Sequence, residues 1–445
     1  MKPSPDLERA NAPAAVNTGA PATDTLTVVI AAARGSASQL ARLLPDLHGV
    51  LDRLGLPREV IVVAEGSEEA LVAAAAEAGA RLLVQDVGGY GAALQRGFAE
   101  AQGAFILTMD ADLWHPSSFV ETLWSHRATA DVVIASRYVP GGGAAMSPLR
   151  KAASRALNAF FSIGLDLPIR DLSSGFRLYR TAAIRGQTIT AVDFDILQQT
   201  LVQAYAEGWR VREIPFVYAS SGGSGWSRRG FRVAAAWLRQ FGALWLLRNS
   251  ILAADYDSRA HDSRIPLQRY WQRERRRHIT ELSAGCGPVL DVGCGSSRII
   301  GDLPPGSVAV DVLLRKLRYG RRFNRWLVQA SGFAIPFADA SFPCVLCSQV
   351  IEHVPKSSPI LDELCRALAP GGRLVLGTPD YAKWQWVAIE KLYGLVPGSY
   401  ADEHISHYTR DELVEIMATR GLALEAERYI LQGELILAFR KRKVS

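Results

Sequence analysis

The chain has 445 residues, 49% of them apolar and 21% charged, with 50 basic against 44 acidic side chains for a net charge of +6. That is enough apolar material for two or three packed domains, and it excludes a disordered chain or a fibre. The mild basic excess suits phosphate-bearing ligands or an anionic membrane surface; with no helix-turn-helix or basic–aromatic signature, no nucleic acid is expected as a partner.

Residues 1–24 carry Pro3, Pro5, Asp6, Glu8, Pro13 and Pro21 and no apolar run, which reads as a disordered lead and not as a signal peptide. Short apolar strands follow: LTVVIAA (26–32), EVIVVA (59–64), ARLLVQ (80–85), AFILTMD (104–110) and DVVIASR (131–137). Helical stretches alternate with them, and this predicts a doubly wound parallel sheet over a first domain, 25–252. Its last segment, 233–254, is broken by Arg239, Gln240, Arg248 and Asn249, so it is expected as an amphipathic helix and not as a membrane span. Such a stripe packs on the protein or lies on a membrane surface; packing is the preferred reading.

Residues 253–286 are polar and basic, with Arg273, Arg275, Arg276 and Arg277 close together, and read as a solvated helical linker, with contact to phosphate or anionic lipid as the sharper alternative. A second α/β domain, 287–445, follows with strands PVLDVG (288–293), SVAVD (307–311), CVLCSQ (344–349) and GRLVLGT (372–378). Five cysteines, at 286, 294, 344, 347 and 365, are odd in number and irregular in spacing, which argues against a disulfide framework and for a reducing cytoplasm. Cys344 and Cys347 fall three apart in a strand and so point to opposite faces, a poor arrangement for zinc.

The richest segment is QDVGGYGAALQRGFAEAQGAFILTMDADLWHPSSF, 85–119. Asp110 and Asp112 flank Ala111 directly after an apolar strand, where ligands of open α/β sheets sit. Two carboxylates there suit Mg²⁺ or Mn²⁺, which prefer oxygen ligands and bridge diphosphates. Gly88, Gly89 and Gly91 let the backbone approach a ligand just before a helix begins.

With EVIVVAEGS, GGYGAALQRGF, MDADLWHP, DVVIASRYVPGGG, DLSSGFRLYR and WRVREIPFVY in this order, residues 26–250 resemble glycosyltransferase family 2, and within it the polyprenyl-phosphate sugar transferases similar to dolichyl-phosphate mannose synthase. The resemblance implies an A-type nucleotide-sugar transferase fold, a divalent metal and inversion at the sugar carbon. It makes Asp110 and Asp112 the metal ligands, Asp112 the stronger, and puts Glu65, Gly89, Gly91 and Asp110 on the nucleotide sugar. Ala64 replaces the family's first base-reading Asp, and AAARGS replaces its opening Pro-x-Tyr-Asn-Glu, so UDP and GDP donors both stay open. Trp114 replaces a usual Gln. Arg137, Arg150 and Ser154 take the lipid-phosphate positions, the last two on one helix face. Arg228 stands for a late Lys. A phosphate acceptor attacks without a base; a hydroxyl acceptor needs a carboxylate, and Asp195 or Asp193 in AVDFDILQQ are the candidates, unless they only cap the next helix.

VLDVGCGSSRII (289–300) is a strand, a glycine turn and a helix start, with Asp311 at the end of the next strand. With FAIPFADASF, CSQVIEHV and LCRALAPGGRLVLGTPD, residues 287–440 resemble class I S-adenosylmethionine-dependent methyltransferases, a Rossmann-like fold. The resemblance implies S-adenosylmethionine on Asp291, Gly293, Gly295, Asp311 and Ser331. Ser297, Ser331 and Pro343 depart from the family's usual Gly, Asp and Asp. For a hydroxyl acceptor, His353 is the leading base, His404 and His407 are alternates, and each is open to a structural reading.

The two resemblances together imply a bifunctional enzyme of glycan or glycolipid assembly. It would move a sugar from a GDP- or UDP-linked donor to a polyprenyl phosphate or glycan, and methylate an oxygen in the same pathway. The expected place is the cytoplasm, peripheral on the inner membrane face. The alternatives are a tailoring enzyme for a small metabolite, or one domain acting as a non-catalytic binding module.

Overall fold

The computed structural model describes residues 24–85, 88–219, 226–394 and 404–443, and the chain divides into two compact units between Arg248 and Asn249. The expected lead over 1–23 and the side chain of Arg228 lie outside the described residues.

The first unit has strands β1 (Leu26–Ala32), β2 (Arg58–Glu65), β3 (Arg81–Gln85), β4 (Phe105–Asp110), β5 (Val132–Ser136), β6 (Gly143–Ala145), β7 (Arg177–Arg180), β8 (Val211–Pro215) and β9 (Val217–Ala219). Its helices are α1 (Ala37–Leu54), α2 (Glu69–Glu77), α3 (Tyr90–Glu100), α4 (Phe119–Ser125), α5 (Pro148–Gly164), α6 (Thr181–Ile184), α7 (Ile196–Ala206) and α8 (Trp226–Asn249). Seven strands form one sheet in the order β3-β2-β1-β4-β7-β5-β8, and β6 pairs with β9. Apolar runs make the central strands because both sheet faces are covered. Leu40, Leu43, Leu44, Leu47 and Leu51 of α1 cover one face, and Ala93, Leu94 and Phe98 of α3 pack with Phe161, Leu201 and Trp237 on the other. A parallel sheet was expected from sequence, but the sheet is mixed: β7 runs antiparallel to both β4 and β5. Arg177 of β7 is fully buried and donates to the carbonyls of Leu172 and Leu197 at 2.7 and 2.6 Å, which offsets the cost of burying its charge.

In α8, Trp237 and Leu244 are buried against the first unit, as a packed helix requires, while Leu238 and Leu246 are exposed. Exposed Leu149, Phe160 and Ile163 continue an apolar face on α5, which packs on α8 through Phe161–Trp237 and Phe160–Phe241 ring contacts. Among the described residues no helix is long and apolar enough to cross a membrane.

The second unit has strands β10 (Val289–Val292), β11 (Val308–Asp311), β12 (Trp326–Gln329), β13 (Phe342–Ser348), β14 (Leu368–Pro379), β15 (Leu422–Ile430) and β16 (Glu434–Lys441), in the order β12-β11-β10-β13-β14-β16-β15. The first five are parallel, and β16 runs antiparallel to both its neighbours. Its helices are α9 (Tyr256–His261), α10 (Pro266–Ser283), α11 (Ile299–Asp302), α12 (Leu314–Gly320), α13 (Ile360–Ala367), α14 (Trp384–Gly394) and α15 (Arg410–Thr419).

Residues 253–286, expected as a solvated linker, instead supply α9 and α10 to this unit. In α10, Trp271, His278, Ile279 and Leu282 form a buried stripe at helical spacing. Arg275 on the same stripe donates to fully buried Glu434, Nε to Oε1 at 2.6 Å, and Trp271 Nε1 donates to the other oxygen. Arg276 and Arg277 do face outward, onto Asp302, Glu274 and Glu281. Removing α10 would strip the β14–β16 face of its apolar cover and take away both the Arg275 and the Trp271 partners of Glu434. A fragment starting at residue 249 is therefore expected to unfold cooperatively in urea, and one starting at 287 to show no cooperative transition. Equal cooperativity would return 253–286 to a linker.

Candidate active sites of the two units

In the first unit, Asp110 stands level with Ala31, Ala32 with Ala64, and Glu65 with Gln85, so the carboxylates of Asp110 and Glu65 share the C-terminal edge of β1, β2 and β4. Asp112 follows on the loop, where its Oδ1 accepts from Trp114 N–H at 3.3 Å. Burial, and then the neighbouring Asp110 carboxylate, push the Asp112 carboxyl up to about 6. Two oxygen-donor groups that repel one another at a sheet edge fit a hard divalent cation.

His115 is a site residue that the sequence reading missed. It is buried, its Nδ1 accepts from Asp110 N–H at 3.0 Å, and its ring stacks on Phe176 at 4.7 Å. Burial lowers its pKa to about 4, so it is neutral and carries its proton on Nε2, which faces Asp110 Oδ2 at 4.0 Å. Tyr218 was also missed. Its ring packs on Trp114 at 5.4 Å; burial, Asp112 and Asp110 push its phenol up, and Arg137 and Arg150 partly offset them. Tyr218 thus feels the charge of both the acidic pair and the expected acceptor arginines, and Arg137 Cζ lies 5.8 Å over its ring.

Three expectations change. Gly89 and Gly91 were read as room for a ligand, but that room is filled by protein. A Cβ on Gly89 would lie 2.4 Å from Val192 O, and one on Gly91 2.6–2.7 Å from the backbone of Ala191, Val192 and Asp193. The glycines let α3 dock on the 191–194 loop, where Tyr90 stacks on Phe194 at 4.6 Å, and Glu65 pins the turn by accepting from Gly89 N–H at 2.8 Å. Asp195, expected as a base, is buried; it accepts from Gln240 Nε2 at 2.8 Å and from Asp193 N–H at 3.0 Å, so it secures the loop to α8. Arg137, expected on the acceptor, is clamped by fully buried Asp171 through Nε and Nη2 at 2.8 and 2.7 Å, with Ser173 on the same Nη2. Arg150 and Ser154 do share a face of α5, and Ser154 Oγ accepts from Tyr138 Oη at 2.6 Å.

In the second unit the glycine turn joins β10 to α11. Gly293 has φ +73°, and a Cβ there would meet Val350 at 2.2 Å, so a side chain is excluded by packing as well as by conformation. Asp311, at the end of β11, accepts from Gly295 N–H and Leu313 N–H, both at 2.8 Å. Ser331 lies in the loop after β12, which hydrogen-bonds back to Asp311 through Ala330 N–H. Asp257 of α9, which no sequence motif marked, sits on the same turn. It accepts from Ser296 N–H at 2.9 Å and from Lys316 Nζ at 2.8 Å. Burial alone would raise the Asp257 carboxyl, but Lys316 and Ser296 hold it below the usual range.

Asp291 is buried inside β10, and burial together with Asp311 pushes its carboxyl up to about 7. A turn flanked by such carboxylates fits a ligand bearing a positive centre, as a sulfonium does. Beyond β13 lies a single 3-10 turn, Ile351–His353. His353 is exposed there, with its ring 4.9 Å from that of His404, and His407 stacks on Tyr381 at 4.0 Å. Glu352 is fully buried, and burial pushes its carboxyl up to about 8. Cys344 and Cys347 are buried in β13, and burial pushes both thiols up.

Residues 28–186 match the family model "Glycosyl transferase family 2", and residues 290–376 match "Methyltransferase domain". The two matches fall one in each unit, a glycosyltransferase family 2 domain followed by a methyltransferase domain. Its first unit is similar to a dolichol-phosphate mannosyltransferase of Pyrococcus furiosus, 31% identical over 186 residues, covering 39% of this chain and 52% of that one. The second is similar to a demethylmenaquinone methyltransferase of Streptomyces avermitilis, 31% identical over 192 residues, covering 38% of this chain and 81% of that one. Among solved structures, glucosyl-3-phosphoglycerate synthase of Mycobacterium tuberculosis is 17% identical with a TM-score of 0.41, covering 51% of this chain and 78% of that one. The chain spans about half the length of the first curated relatives it matches.

The raised Asp291 carboxyl has a pH signature. An unfolded Asp titrates near 3.9 and this one at about 7, so its contribution to stability is full below pH ~4 and is lost as pH rises through 7. Asp291→Asn is expected to stabilise the ligand-free second unit at pH 8, on the order of 2–4 kcal/mol, and to change little at pH 4. Urea unfolding at the two pH values reads this; an equal effect at both would place the charge elsewhere.

Proposed function

We propose that the first unit transfers a sugar from a GDP- or UDP-linked donor to a polyprenyl phosphate, and that the second methylates an oxygen in the same glycan or glycolipid pathway. The acidic pair Asp110 and Asp112 at the sheet edge, with Tyr218 under the charge of both that pair and Arg150, carries the first half of this reading. A divalent cation held by Asp110 and Asp112 would supply charge stabilisation for the leaving diphosphate. His115 fixes Asp110 from behind, and Glu65 sets the turn ahead of α3. Because Asp195 is engaged by Gln240 and Asp193 Oδ1 accepts from Phe194 N–H at 2.9 Å, the reading favours an acceptor that is already ionised over a hydroxyl needing a base. Arg150, not the clamped Arg137, is then the acceptor contact, and inversion follows from direct attack.

The exposed apolar residues of α5 and α8 support work at a membrane surface, here the cytoplasmic face, where a polyprenyl acceptor resides. In the second unit, S-adenosylmethionine bound at the glycine turn would supply the methyl group. Asp311 would accept from its ribose hydroxyls and the Asp291 charge would balance the sulfonium, with Gly293 and Gly295 shaping the turn and Ser331 beside the adenine.

Transfer of labelled hexose to polyprenyl phosphate in the presence of Mn²⁺ tests the first half. Asp112→Asn is expected to abolish transfer while leaving S-adenosylmethionine affinity unchanged, and Asp311→Ala to do the converse. Arg150→Ala is expected to raise the acceptor KM by roughly tenfold or more, for loss of a charge-assisted contact of about 1.5–3 kcal/mol, with the donor KM unmoved. No transfer from either donor class, or a purely donor-side effect of Arg150→Ala, would sink the assignment.

A further inference from the structure

We propose that Glu352, His353 and His404 form a divalent transition-metal site, of the class that binds Zn²⁺, beyond the end of β13. It deepens the methyl-transfer reading by making His353 a metal ligand in place of the base expected from sequence. It rests on that reading only for what the ion does and not for whether it binds. One carboxylate oxygen and two imidazole nitrogens, one from each residue, lie within 4.8 Å of one another. Ligand bonds to zinc of 2.0–2.2 Å put tetrahedral donors about 3.4 Å apart, so modest side-chain rotation closes the set.

Three observations support a ligand there. Glu352 is fully buried, its Oε2 accepts from Thr378 Oγ1 at 3.2 Å, and its Oε1 has no hydrogen-bond partner among the described residues. A buried carboxylate oxygen left this way is costly unless something else binds it. His404 Nδ1 lies 3.0 Å from Glu390 Oε1 and 2.8 Å from Tyr381 Oη. With its Nδ1 proton given to the carboxylate, the lone pair falls on Nε2, and carboxylate–histidine pairs of this kind orient metal ligands. Thirdly, the Glu352 carbonyl accepts from the N–H groups of Ile405 and Ser406 at 2.9 and 3.0 Å, so the two ligand-bearing segments are tied together by backbone.

Two imidazoles and a carboxylate select a borderline ion such as Zn²⁺ over Mg²⁺ or Ca²⁺. That sets this site apart from the all-oxygen pair Asp110–Asp112. Exposed His353 gives the ion an entry path and leaves a coordination position open toward solvent, where the oxygen of a hydroxyl-bearing acceptor would enter.

The test uses the full chain carrying Asp110→Asn and Asp112→Asn, so that the first unit's carboxylates do not contribute. After chelation, Zn²⁺ is titrated by calorimetry and against a chromogenic chelator, and Co²⁺ by its visible ligand-field bands. The expected result is one Zn²⁺ per chain and tetrahedral Co²⁺ bands. Affinity should fall at least tenfold in His353→Ala, in His404→Ala and in Glu390→Gln, with unchanged melting of the metal-free proteins. Absence of stoichiometric binding, or His353→Ala and His404→Ala proteins that bind Zn²⁺ as tightly as their parent, overturns the site. A parallel S-adenosylmethionine titration separates the two readings. Zinc without the methyl donor sinks methyl transfer and leaves the metal site standing; the methyl donor without zinc sinks the metal site alone.

Discussion

Like charges held together at the carboxyl end of a parallel sheet repel one another, and a dry protein edge does little to screen them. Both units are built around such a pair: Asp110 with Asp112 at β4, and Asp291 with Asp311 at β10 and β11. In each, burial and the neighbouring carboxylate hold one acid protonated well above its ordinary range. Left alone, this arrangement costs stability. It becomes favourable when a positive charge enters between the acids, whether a divalent ion or a sulfonium. The surrounding residues follow from that requirement, because something must hold the carboxylates in place against their own repulsion.

What holds them is a set of backbone contacts and neutral or oppositely charged partners. His115 kept neutral accepts from Asp110 N–H without adding charge to the edge. Glu65 ties the glycine turn to β2, and the glycines give up their side chains so that the 191–194 loop can press against α3. Asp195 and Asp171 are each spent on a partner within the protein, Gln240 and Arg137. In the second unit Asp311 fastens the glycine turn from one side and Asp257 from the other, with Lys316 between them neutralising the pair.

Much of this was legible in the sequence where the signal is local. Apolar runs marked β1 to β5, β10, β11, β13 and β14, and the acidic and glycine motifs follow directly on β3, β4 and β10. β7 escaped because arginines bracket its two apolar residues, and its direction depends on long-range pairing with β4 and β5. β12 is four residues long and begins with an exposed Trp326. α10 was misread because its arginines dominate the composition, and only Trp271, Ile279 and Leu282 betray the buried stripe. His115 stood inside a quoted motif with nothing to mark it. Tyr218, Asp257 and Glu390 reach their sites from far along the chain, which no spacing rule reveals.

The claim that buried, protonated carboxylates await a cationic ligand is tested most directly by proton release. S-adenosylmethionine titrated into the wild-type chain at pH 7, in two buffers of different ionisation enthalpy, should release up to about half a proton per methyl donor, since Asp291 is poised at about 7. The release should vanish in Asp291→Asn. Binding with identical heats in both buffers would contradict the account.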